Sequence, residues 1–468
     1  MNSLKSELQA FGNKVSRVAI HLDNSDQWLQ IDNTLTELAA VIVPIPHFFS
    51  QKQIHHMVEI AGVDAVICEN IAKDLWLSFG FKEASNYSFA GTLMLREVKD
   101  YPQLPENTHK ITFTSGTTNE PKGVCLSLQH LQAVGKSLAV ISTDIFKVKK
   151  HLCILPLSVL LENVAASYAA GQANIEVIIP SLAEIGLSGS SSLDVKKLIG
   201  AICHYKPDSL ILMPQMLKAI ITVLQSQKNT EQVLDLSFLK FIAVGGAVCS
   251  KGLLLKAKAL NLPVFEGYGI SECGSVISLN TDQEQIGNVG KVLPHQKVKI
   301  SQDGEILTKG QLFVGYLGAE DNHEQWYATG DLGQFDENNN LHIIGRKKNI
   351  IINSFGRNLS PDWIEAELLA ISEINQVVVY GEGMPYLTAI CVTLQSADKL
   401  WDKIAKLNDT LPDYARIKEI IIGSETFTVG NGMLTASGKA KHQNIFKHYS
   451  YQLQDIYAST KTITSQSI

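Results

Sequence analysis

The chain has 468 residues, of which 45% are hydrophobic and 18% are charged, and its formal net charge is -6. At about 150 residues per domain, this length predicts two to four domains with a sizeable core, and the apolar content excludes wholesale disorder. The small net charge and the lack of a long basic block argue against a nucleic-acid partner. The seven cysteines are widely spaced and form no C-x-x-C pair, which argues against a disulfide framework and a zinc site.

The sequence carries no signal for secretion or for a membrane. Residues 1–7 contain no apolar segment and no small-residue cleavage site, so we expect no secretory signal. The longest apolar runs, such as residues 38–45, are far shorter than the ~20 residues that cross a bilayer. These features predict a cytoplasmic protein without a transmembrane segment.

Short segments rich in Val, Ile and Leu and bounded by turn residues predict buried strands, at residues 14–21, 39–46, 64–69, 175–180, 209–213 and 238–244. Helical patterns such as residues 51–61 lie between them. This alternation predicts an α/β fold in which helices cover a parallel sheet, and such sheets bind ligands at the carboxyl ends of their strands. The polar run at residues 185–194 is interpreted as a surface loop.

The pattern of the chain changes near residue 346. Residues 345–352 form a basic segment of short-strand character, and a helix is predicted to begin at Ser360-Pro361. We therefore place a domain boundary near Lys348, with an N-terminal domain at residues 1–346 and a C-terminal domain at residues 347–450. Residues 451–468 are rich in Ser, Thr and Gln without periodicity, which predicts a frayed tail.

The strongest local signal runs from Ile111 to Val124, where an apolar strand leads into hydroxyl residues and glycine and then a lysine. Backbone N–H groups, hydroxyls and an ammonium in one loop suit a polyphosphate. The loop is not a Walker A motif, because Pro121 precedes Lys122 where that motif requires glycine. The residues concerned are Thr114, Ser115, Gly116, Thr117, Thr118 and Lys122.

This loop resembles the phosphate-binding loop of the adenylate-forming superfamily, which includes acyl-CoA and aryl-CoA synthetases, nonribosomal-peptide adenylation domains and firefly-type luciferases. The resemblance implies a large N-terminal α/β domain with helix-covered sheets and a small, mobile C-terminal α+β domain. Further segments resemble the family's motifs in the family's order: Gly245-Gly246-Ala247, Gly267-Tyr268-Gly269-Ile270-Ser271-Glu272, Tyr327-Ala328-Thr329-Gly330-Asp331-Leu332-Gly333, Gly345-Arg346-Lys347-Lys348 and Leu434-Thr435-Ala436-Ser437-Gly438-Lys439.

The resemblance also implies a reaction, in which ATP and Mg²⁺ activate a carboxylic acid as acyl-AMP with release of pyrophosphate. Joining an anion to a polyanion requires cations and N–H groups that stabilise the transferring phosphoryl group. Lys439 is then the catalytic lysine, and Glu272 is both a catalytic residue and the Mg²⁺ ligand. The implied nucleotide-binding residues are Thr114, Ser115, Gly116, Thr117, Thr118, Lys122, Gly246, Ala247, Tyr268, Gly269, Ser271, Asp331 and Arg346.

In the second step that the resemblance implies, the acyl group passes to a thiol, either CoA or the phosphopantetheine of a carrier protein. Lys348 is expected to be the hinge about which the C-terminal domain rotates. Gly356 is expected to line the thiol tunnel, where a residue without Cβ leaves room for a pantetheine arm. The candidates for the acyl pocket carry no charge: Val159, Leu160, Val244, Gly245 and Ile270.

Within the superfamily, residues 155–165 and 354–365 resemble segments of long-chain acyl-CoA synthetases. We therefore predict that the apolar acid is a fatty acid. The alternative is an aryl or short-chain acid, which the short N-terminus and the absence of a gating His or aromatic residue at Val159 favour. Other departures from the family pattern are Asn119, Ser271 and His442.

A hypothesis from a different class is a catalytically weak nucleotide-binding scaffold for acyl carriers. Lys439, Glu272 and Asp331 together argue against it, because a scaffold does not need all three charges. The sequence thus favours an acid–thiol ligase that uses ATP and Mg²⁺.

Overall fold

A computed structural model describes residues 2–12, 15–85, 87–114, 121–189, 192–227, 234–319 and 326–464. The helices of these residues, in chain order, are α1 Asn2–Gln9, α2 Asp26–Glu37, α3 Gln51–Ala61, α4 Lys73–Ser78, α5 Leu128–Val140, α6 Leu160–Asn163, α7 Ala170–Ala173, α8 Val195–Tyr205, α9 Pro214–Gln227, α10 Lys251–Ala259, α11 Pro361–Leu369, α12 Ala397–Asn408, α13 His442–His448 and α14 Ser450–Thr464.

The strands, in chain order, are β1 Arg17–His21, β2 Val41–Pro44, β3 Ala65–Cys68, β4 Lys82–Glu83, β5 Thr92–Leu95, β6 Lys110–Thr114, β7 Lys122–Leu126, β8 Lys150–Leu152, β9 Glu176–Ile178, β10 Leu187–Ser188, β11 Ser192–Leu193, β12 Ser209–Leu212, β13 Phe241–Val244, β14 Val264–Tyr268, β15 Ser278–Leu279, β16 Lys291–Val292, β17 Gln296–Ile300, β18 Glu305–Gly310, β19 Gly315–Tyr316, β20 Tyr327–Phe335, β21 Leu341–Arg346, β22 Ile351–Ile352, β23 Asn358–Leu359, β24 Ile374–Tyr380, β25 Leu387–Thr393 and β26 Ile417–Ile422.

Two mixed sheets form the N-terminal part of the chain. The first has eight strands in the order β19-β7-β6-β2-β1-β3-β5-β4, and its central strands β6, β2, β1 and β3 run parallel. The second has seven strands in the order β16-β15-β14-β13-β12-β8-β9, in which β14 to β9 run parallel. Parallel strands of this kind are buried on both faces, as the uniformly buried β3 and β12 are here.

Of the four smaller sheets in the described residues, two have more than two strands. The antiparallel sheet β17-β18-β20-β21 leads to the predicted boundary, and the sheet β24-β25-β26 lies beyond it with α11 to α14. The predicted α/β architecture, with a large N-terminal region and a smaller C-terminal domain, is confirmed.

Local sequence explains why the predicted elements form where they do. Helix α3 begins after Ser50, whose hydroxyl accepts a hydrogen bond from Gln53 N in a capping box, and ends at Gly62, which takes φ +61°. These residues give it the predicted bounds. The predicted strand at residues 209–213 likewise corresponds to β12.

Two predictions at the level of elements are wrong. The described part of the polar tail, as far as Thr464, forms helix α14, because Leu453 and Tyr457 lie on one face and pack into the apolar cluster around β25. The segment at residues 185–194 is not only a surface loop: Ile185 is fully buried, and β10 and β11 pair as a short hairpin. In both segments a few apolar residues within a polar stretch determine the structure.

Candidate active site

Two adjacent strands, β13 and β14, end at the predicted site and are followed by glycine-rich turns. Gly246 has φ +78°, and a Cβ there would lie 3.0 Å from Met213 Sδ, so both the backbone angle and the available space favour glycine. A Cβ on Gly245 would lie 3.2 Å from the carbonyl oxygen of Gly267 on the neighbouring strand. Because Gly246 and Ala247 are exposed, a ligand can approach the backbone at the carboxyl ends of these strands.

The second part of the site is a buried carboxylate held between two side chains. Asp331 on β20 lies opposite Arg346 on β21, and Arg346 Nε lies 2.8 Å from Asp331 Oδ1. The Tyr268 hydroxyl donates to Asp331 Oδ2 at 2.7 Å. Burial raises the pKa of Asp331 while Arg346 opposes that rise, and burial raises the pKa of the Tyr268 phenol. A carboxylate has lone pairs beyond these two contacts, so Asp331 can accept further hydrogen bonds from hydroxyl groups of a ligand.

A second carboxylate, that of Glu272, lies in the 3₁₀ turn that follows β14. The Tyr316 hydroxyl donates to Glu272 Oε1 at 2.7 Å and lies 3.0 Å from the hydroxyl of Tyr327. The backbone N–H of Phe313 donates to the carbonyl oxygen of Glu272 at 2.7 Å. The glutamate is therefore fixed at both its backbone and its side chain, and an oriented carboxylate oxygen is a ligand that suits Mg²⁺.

The turn between Tyr268 and Glu272 is tight because the backbone passes very close to itself. A Cβ on Gly269 would lie 1.9 Å from the carbonyl oxygen of Ser275, a distance that admits only hydrogen. Ser271, the other residue predicted in this turn, begins the 3₁₀ segment. The glycine thus places Glu272 relative to β14.

The predicted phosphate loop connects β6 and β7, which pair as an antiparallel hairpin with Thr114 opposite Lys122. Lys122 Nζ lies 5.8 Å from the centroid of the Tyr316 ring, so the base of the hairpin lies beside the tyrosine that contacts Glu272. Four residues predicted to bind phosphate lie outside the described residues: Ser115, Gly116, Thr117 and Thr118.

Lys439 lies in a turn of the C-terminal domain that packs against the first sheet. Lys439 N donates to Thr435 Oγ1 at 3.0 Å, and Gly438 allows the turn by taking φ +80°. Ala436, in the middle of the turn, is buried in the same apolar cluster as Phe113 of β6. The turn therefore seats the lysine against the N-terminal part of the chain.

The charges around Lys439 include two residues that are predicted to bind the nucleotide, Asp331 and Arg346. Although Lys439 is an exposed residue, dense packing around its ammonium lowers its pKa, Arg346 acts in the same direction, and Asp362 and Asp331 act in the opposite direction. Lys439 thus lies within electrostatic range of Asp331 and Arg346, although it is far from them in the sequence.

The predicted acyl-pocket residues are only partly brought together. Leu160 is buried in the apolar cluster between the sheets, whereas Val244 packs in a different cluster that includes α9 and α10. Because side chains alternate along a strand, Val244 points away from the face of β13 that carries Phe241 of the Leu160 cluster. The assignment of Leu160 and Val244 to one acyl pocket stays a prediction. Val159 and Ile270 are half-buried.

The residues predicted as hinge and thiol tunnel are both exposed. Lys348 lies in a 3₁₀ turn between β21 and β22. Gly356 has φ +70°, and a Cβ there would meet no heavy atom within 4 Å. The neighbouring Phe355 is 74% exposed. The roles of Lys348 and Gly356 stay predictions.

A buried charge pair on β6, the first strand of the hairpin that carries the predicted phosphate loop, was missed by sequence reasoning. Lys110 on β6 is fully buried, and its Nζ lies 2.8 Å from Asp32 Oδ1 on α2. It also donates to Asn163 Oδ1 at 2.7 Å, and Ser167 Oγ donates to Asp32 Oδ2 at 3.0 Å. Because Asp32 lies 78 residues from Lys110, no local pattern indicates the pair.

Comparison with known proteins identifies the family. The family model described as "AMP-binding enzyme" matches residues 2–317. The chain belongs to the AMP-binding enzyme family. A second model, the C-terminal domain of AMP-binding enzymes, matches residues 348–461. The resemblance to the adenylate-forming superfamily is thereby confirmed.

Relatives of this AMP-binding enzyme include ligases for different acids. A long-chain-fatty-acid–CoA ligase of Mycobacterium bovis is 26% identical over 425 residues, covering 74% of this chain and 69% of the relative. A 2-succinylbenzoate–CoA ligase of Listeria monocytogenes is 25% identical over 471 residues, covering 96% and 92% respectively. Both relatives are acid–CoA ligases, and their acids differ.

Solved structures share the fold. O-succinylbenzoate CoA synthetase of Bacillus subtilis, in complex with ATP and magnesium ion, has a TM-score of 0.72 and 21% identity, covering 94% of this chain and 92% of that chain. An anthranilate CoA ligase in complex with anthranoyl-AMP has a TM-score of 0.76 and 16% identity, covering 96% and 90% respectively. Among the helices of the residues described for the AMP-binding enzyme, none combines the length and apolar character needed to cross a membrane.

Proposed function

We propose that this AMP-binding enzyme joins an apolar carboxylic acid to the α-phosphate of ATP, releases pyrophosphate and passes the acyl group to a thiol. The observation that supports the proposal is the position of Lys439. This lysine belongs to the C-terminal domain and lies within electrostatic range of the Asp331–Arg346 pair. Binding a nucleotide does not require a lysine from a second domain. Stabilising charge on a transferring phosphoryl group requires cations placed in advance, and a lysine delivered by the C-terminal domain supplies one.

The residues of the N-terminal part have distinct roles in this proposal. The free lone pairs of Asp331 accept from the ribose hydroxyls, while Tyr268 and Arg346 hold the carboxylate in place. The adenine lies against the Tyr268 ring and the exposed backbone of Gly246 and Ala247. Binding the nucleoside in this way holds the α-phosphate close to the acid, so that the reaction becomes effectively intramolecular.

Glu272 and its partner Tyr316 fit a magnesium site, because the carboxylate is oriented and lies beside the base of the phosphate hairpin. Bound Mg²⁺ neutralises phosphate charge and orients the phosphates. Lys122 lies at the same edge and adds a positive charge for the polyphosphate. The ammonium of Lys439 then stabilises the charge that develops between the carboxylate and the α-phosphate.

The acceptor that we propose is CoA, since the relatives named above are CoA ligases. In this step the thiol sulfur attacks the acyl carbon of acyl-AMP, the thioester bond forms, and AMP leaves with the electrons of the broken acyl–phosphate bond. The predicted rotation at Lys348 presents Gly356 to the thiol in this second step. A carrier-protein acceptor is assayed alongside CoA.

The decisive experiment is ATP–pyrophosphate exchange with a panel of fatty, aryl and amino acids, followed by addition of CoA. We expect exchange that depends on an apolar acid, and thioester that forms only after CoA is added. Exchange that is largest with a polar amino acid would exclude the proposed class of acid. Nucleotide binding without exchange for any acid would instead support the scaffold hypothesis.

A further inference from the structure

On strands β13 and β14, the residues that face the space between the two large sheets differ in side-chain size. Phe241 of β13 and Phe265 of β14 belong to the same apolar cluster as Leu160. Because every second residue of a strand faces the same side, Ala243 follows Phe241 on this face, and Gly245 comes directly after the last residue of the strand. The side chains therefore become smaller toward the carboxyl end of the strand.

The same order holds on β14, in register with β13. Ala243 pairs with Phe265. Beyond the end of β13, Gly245 lies beside Gly267, whose carbonyl oxygen is 3.2 Å from a Cβ built on Gly245. Two glycines thus face each other at the mouth, and an alanine and a phenylalanine face each other one step deeper.

Solvent exposure follows the same gradient. Phe241 is 9% exposed and Phe265 is 6% exposed, whereas Ala243, Gly245 and Gly267 are each partly exposed. These exposures point to a recess that opens at the carboxyl ends of the strands and closes at the phenylalanines, with Leu279 Cδ1 3.4 Å from a Cβ built on Gly267.

The floor of this recess is a packed group of three aromatic rings. Phe146, which follows α5, stacks on Phe241 with ring centroids 4.3 Å apart and planes 10° apart. Its centroid also lies 4.6 Å from that of Phe265. Leu160 and Val164 belong to the same cluster. Close packing of this kind resists displacement, so a ligand does not pass the floor without cost.

The depth of the recess follows from the strand geometry. Gly267 and Phe265 are two residues apart, which at about 3.3 Å per residue corresponds to about 7 Å. An aromatic ring or a short alkyl chain fits this depth, while a long fatty acyl chain does not. The flat glycine backbones at the mouth also suit the face of a planar ring, whose edge can meet the phenylalanines below.

We propose that the acid substrate of this enzyme carries a compact apolar group, an aromatic ring or a short chain, and that Phe265 sets the size limit. This inference rests on the proposed function, because the carboxylate is placed at the mouth of the recess by the adenylation site next to Gly245 and Gly246. It selects the alternative acid class over the fatty acid that the sequence predicts.

The test compares benzoate, hexanoate and hexadecanoate in ATP–pyrophosphate exchange with the full-length protein. For the wild type, we expect kcat/KM for benzoate or hexanoate to exceed that for hexadecanoate at least tenfold. Phe265→Ala opens the floor, so the preferred linear acid becomes longer, with kcat/KM rising roughly fourfold for each newly covered CH₂ group. The matched control is Val264→Ala, whose side chain lies on the opposite face of the same strand and leaves the length profile unchanged.

If the melting curve shows that Phe265→Ala does not fold, a second variant tests the size limit. Ala243→Leu fills the recess, so exchange with benzoate falls at least tenfold while exchange with acetate is retained. A wild-type preference for hexadecanoate, or an unchanged profile in a folded Phe265→Ala or Ala243→Leu variant, overturns the inference and leaves the adenylation proposal standing. Absence of exchange with every acid contradicts the proposed function itself, and this inference with it.

Discussion

At the scale of single residues, the site depends on charges that hold one another in place. Asp331 is a buried carboxylate whose two oxygens are each contacted by a different partner, Arg346 Nε and Tyr268 Oη. A buried carboxylate without such partners would be protonated or displaced. The two partners therefore keep the acceptor that we assign to the ribose both charged and correctly oriented.

The first prediction concerns this pair of contacts. Asp331→Asn removes the charge that binds the ribose hydroxyls, so the KM for ATP should rise roughly tenfold to a hundredfold, the range for a hydrogen bond to a charged group. Tyr268→Phe should raise it less, because the ring is kept. A double-mutant cycle on the KM for ATP measures their coupling. Additive effects of the two substitutions would show that Tyr268 does not act through Asp331.

The second prediction separates the two half-reactions at Lys439. Lys439→Ala should slow ATP–pyrophosphate exchange roughly a hundredfold or more, the cost of removing one preplaced charge from a transition state. Thioester formation from supplied acyl-AMP should be retained, because no phosphoryl charge develops there. Lys447→Ala, at an exposed lysine of the same domain, is the control. Equal loss of both half-reactions would refute the assignment.

The third prediction follows from the pKa of the same lysine. Its surroundings lower the pKa of Lys439, so the ammonium loses its proton at a lower pH than an ordinary lysine does. Adenylation requires the charged form and should therefore decline with rising pH before an ordinary lysine would titrate. Lys439→Arg should retain its residual adenylation to higher pH, because guanidinium stays protonated. The pH profile of the exchange rate for both proteins provides the measurement.

At the scale of elements, backbone contacts position the carboxylates. Gly269 is the sharpest case, since a Cβ there would lie 1.9 Å from the carbonyl oxygen of Ser275. The 3₁₀ turn that carries Glu272 depends on this approach. Gly200 in α8 is the opposite case, because a Cβ there would meet nothing within 4 Å.

The fourth prediction uses these two glycines as a matched pair. Gly269→Ala should lower the melting temperature and abolish exchange, because the methyl group forces the Glu272 turn away from β14. Gly200→Ala should instead stabilise the protein by about 1 kcal/mol, the helix propensity difference between the two residues. Melting curves and exchange assays test both variants. A Gly269→Ala protein with normal stability and activity would show that the turn can be rearranged without cost.

Elements with strong local signals were predicted well from the sequence, and elements that depend on distant contacts were not. Helix α3 begins after the capping residue Ser50 and ends at Gly62, and both of these residues can be recognised from the local sequence. Helix α1 was not predicted, because its apolar residues are only Leu4 and Leu8. These two leucines stabilise the helix by packing against residues of β1 and α2, which lie further along the chain.

The same division holds within the site. The glycine and acidic motifs singled out Asp331 and Glu272 as candidates. Nothing in the sequence pointed to Tyr316 as the partner of Glu272, since β19 joins the first sheet beside β7 through long-range pairing. Val244, which packs on the opposite face of β13 from Phe241, illustrates a related limit. A pocket is defined by the face of a strand, and the motif alone does not say which face points to the ligand.

At the scale of the whole molecule, helices α10 and α11 connect the N-terminal part of the chain to the C-terminal domain. The backbone N–H of Lys251, at the start of α10, donates to Glu367 Oε1 at 3.1 Å. In return, Lys256 Nζ donates to the carbonyl oxygen of Ala370 at 2.9 Å, at the end of α11. Each contact pairs a helix end with a charge of the sign that its dipole favours.

Lys218 of α9 adds to this connection, with Nζ donating to the carbonyl oxygens of Ile371 and Ile374 at 3.0 and 2.7 Å. These contacts hold the C-terminal domain in the arrangement that brings Lys439 to Asp331. The proposed rotation at Lys348 would have to break them before the thiol step. The contacts should therefore favour adenylation over thioester formation.

The last prediction tests this balance with two lysines of one helix. Lys256→Met removes the contact with Ala370 and keeps most of the apolar side chain, whereas Lys258→Met removes a lysine that pairs with Glu284 within the N-terminal part, at 2.7 Å. Losing about 1 kcal/mol of contact energy shifts a conformational equilibrium roughly fivefold. Exchange by Lys256→Met should fall by up to that factor, while thioester formation from supplied acyl-AMP should be unchanged or faster.

The distance between fluorophores on the two domains should lengthen on average in this variant and not in Lys258→Met. Identical domain distances and half-reaction rates in the two variants would show that the helix-end contacts do not control the position of the C-terminal domain.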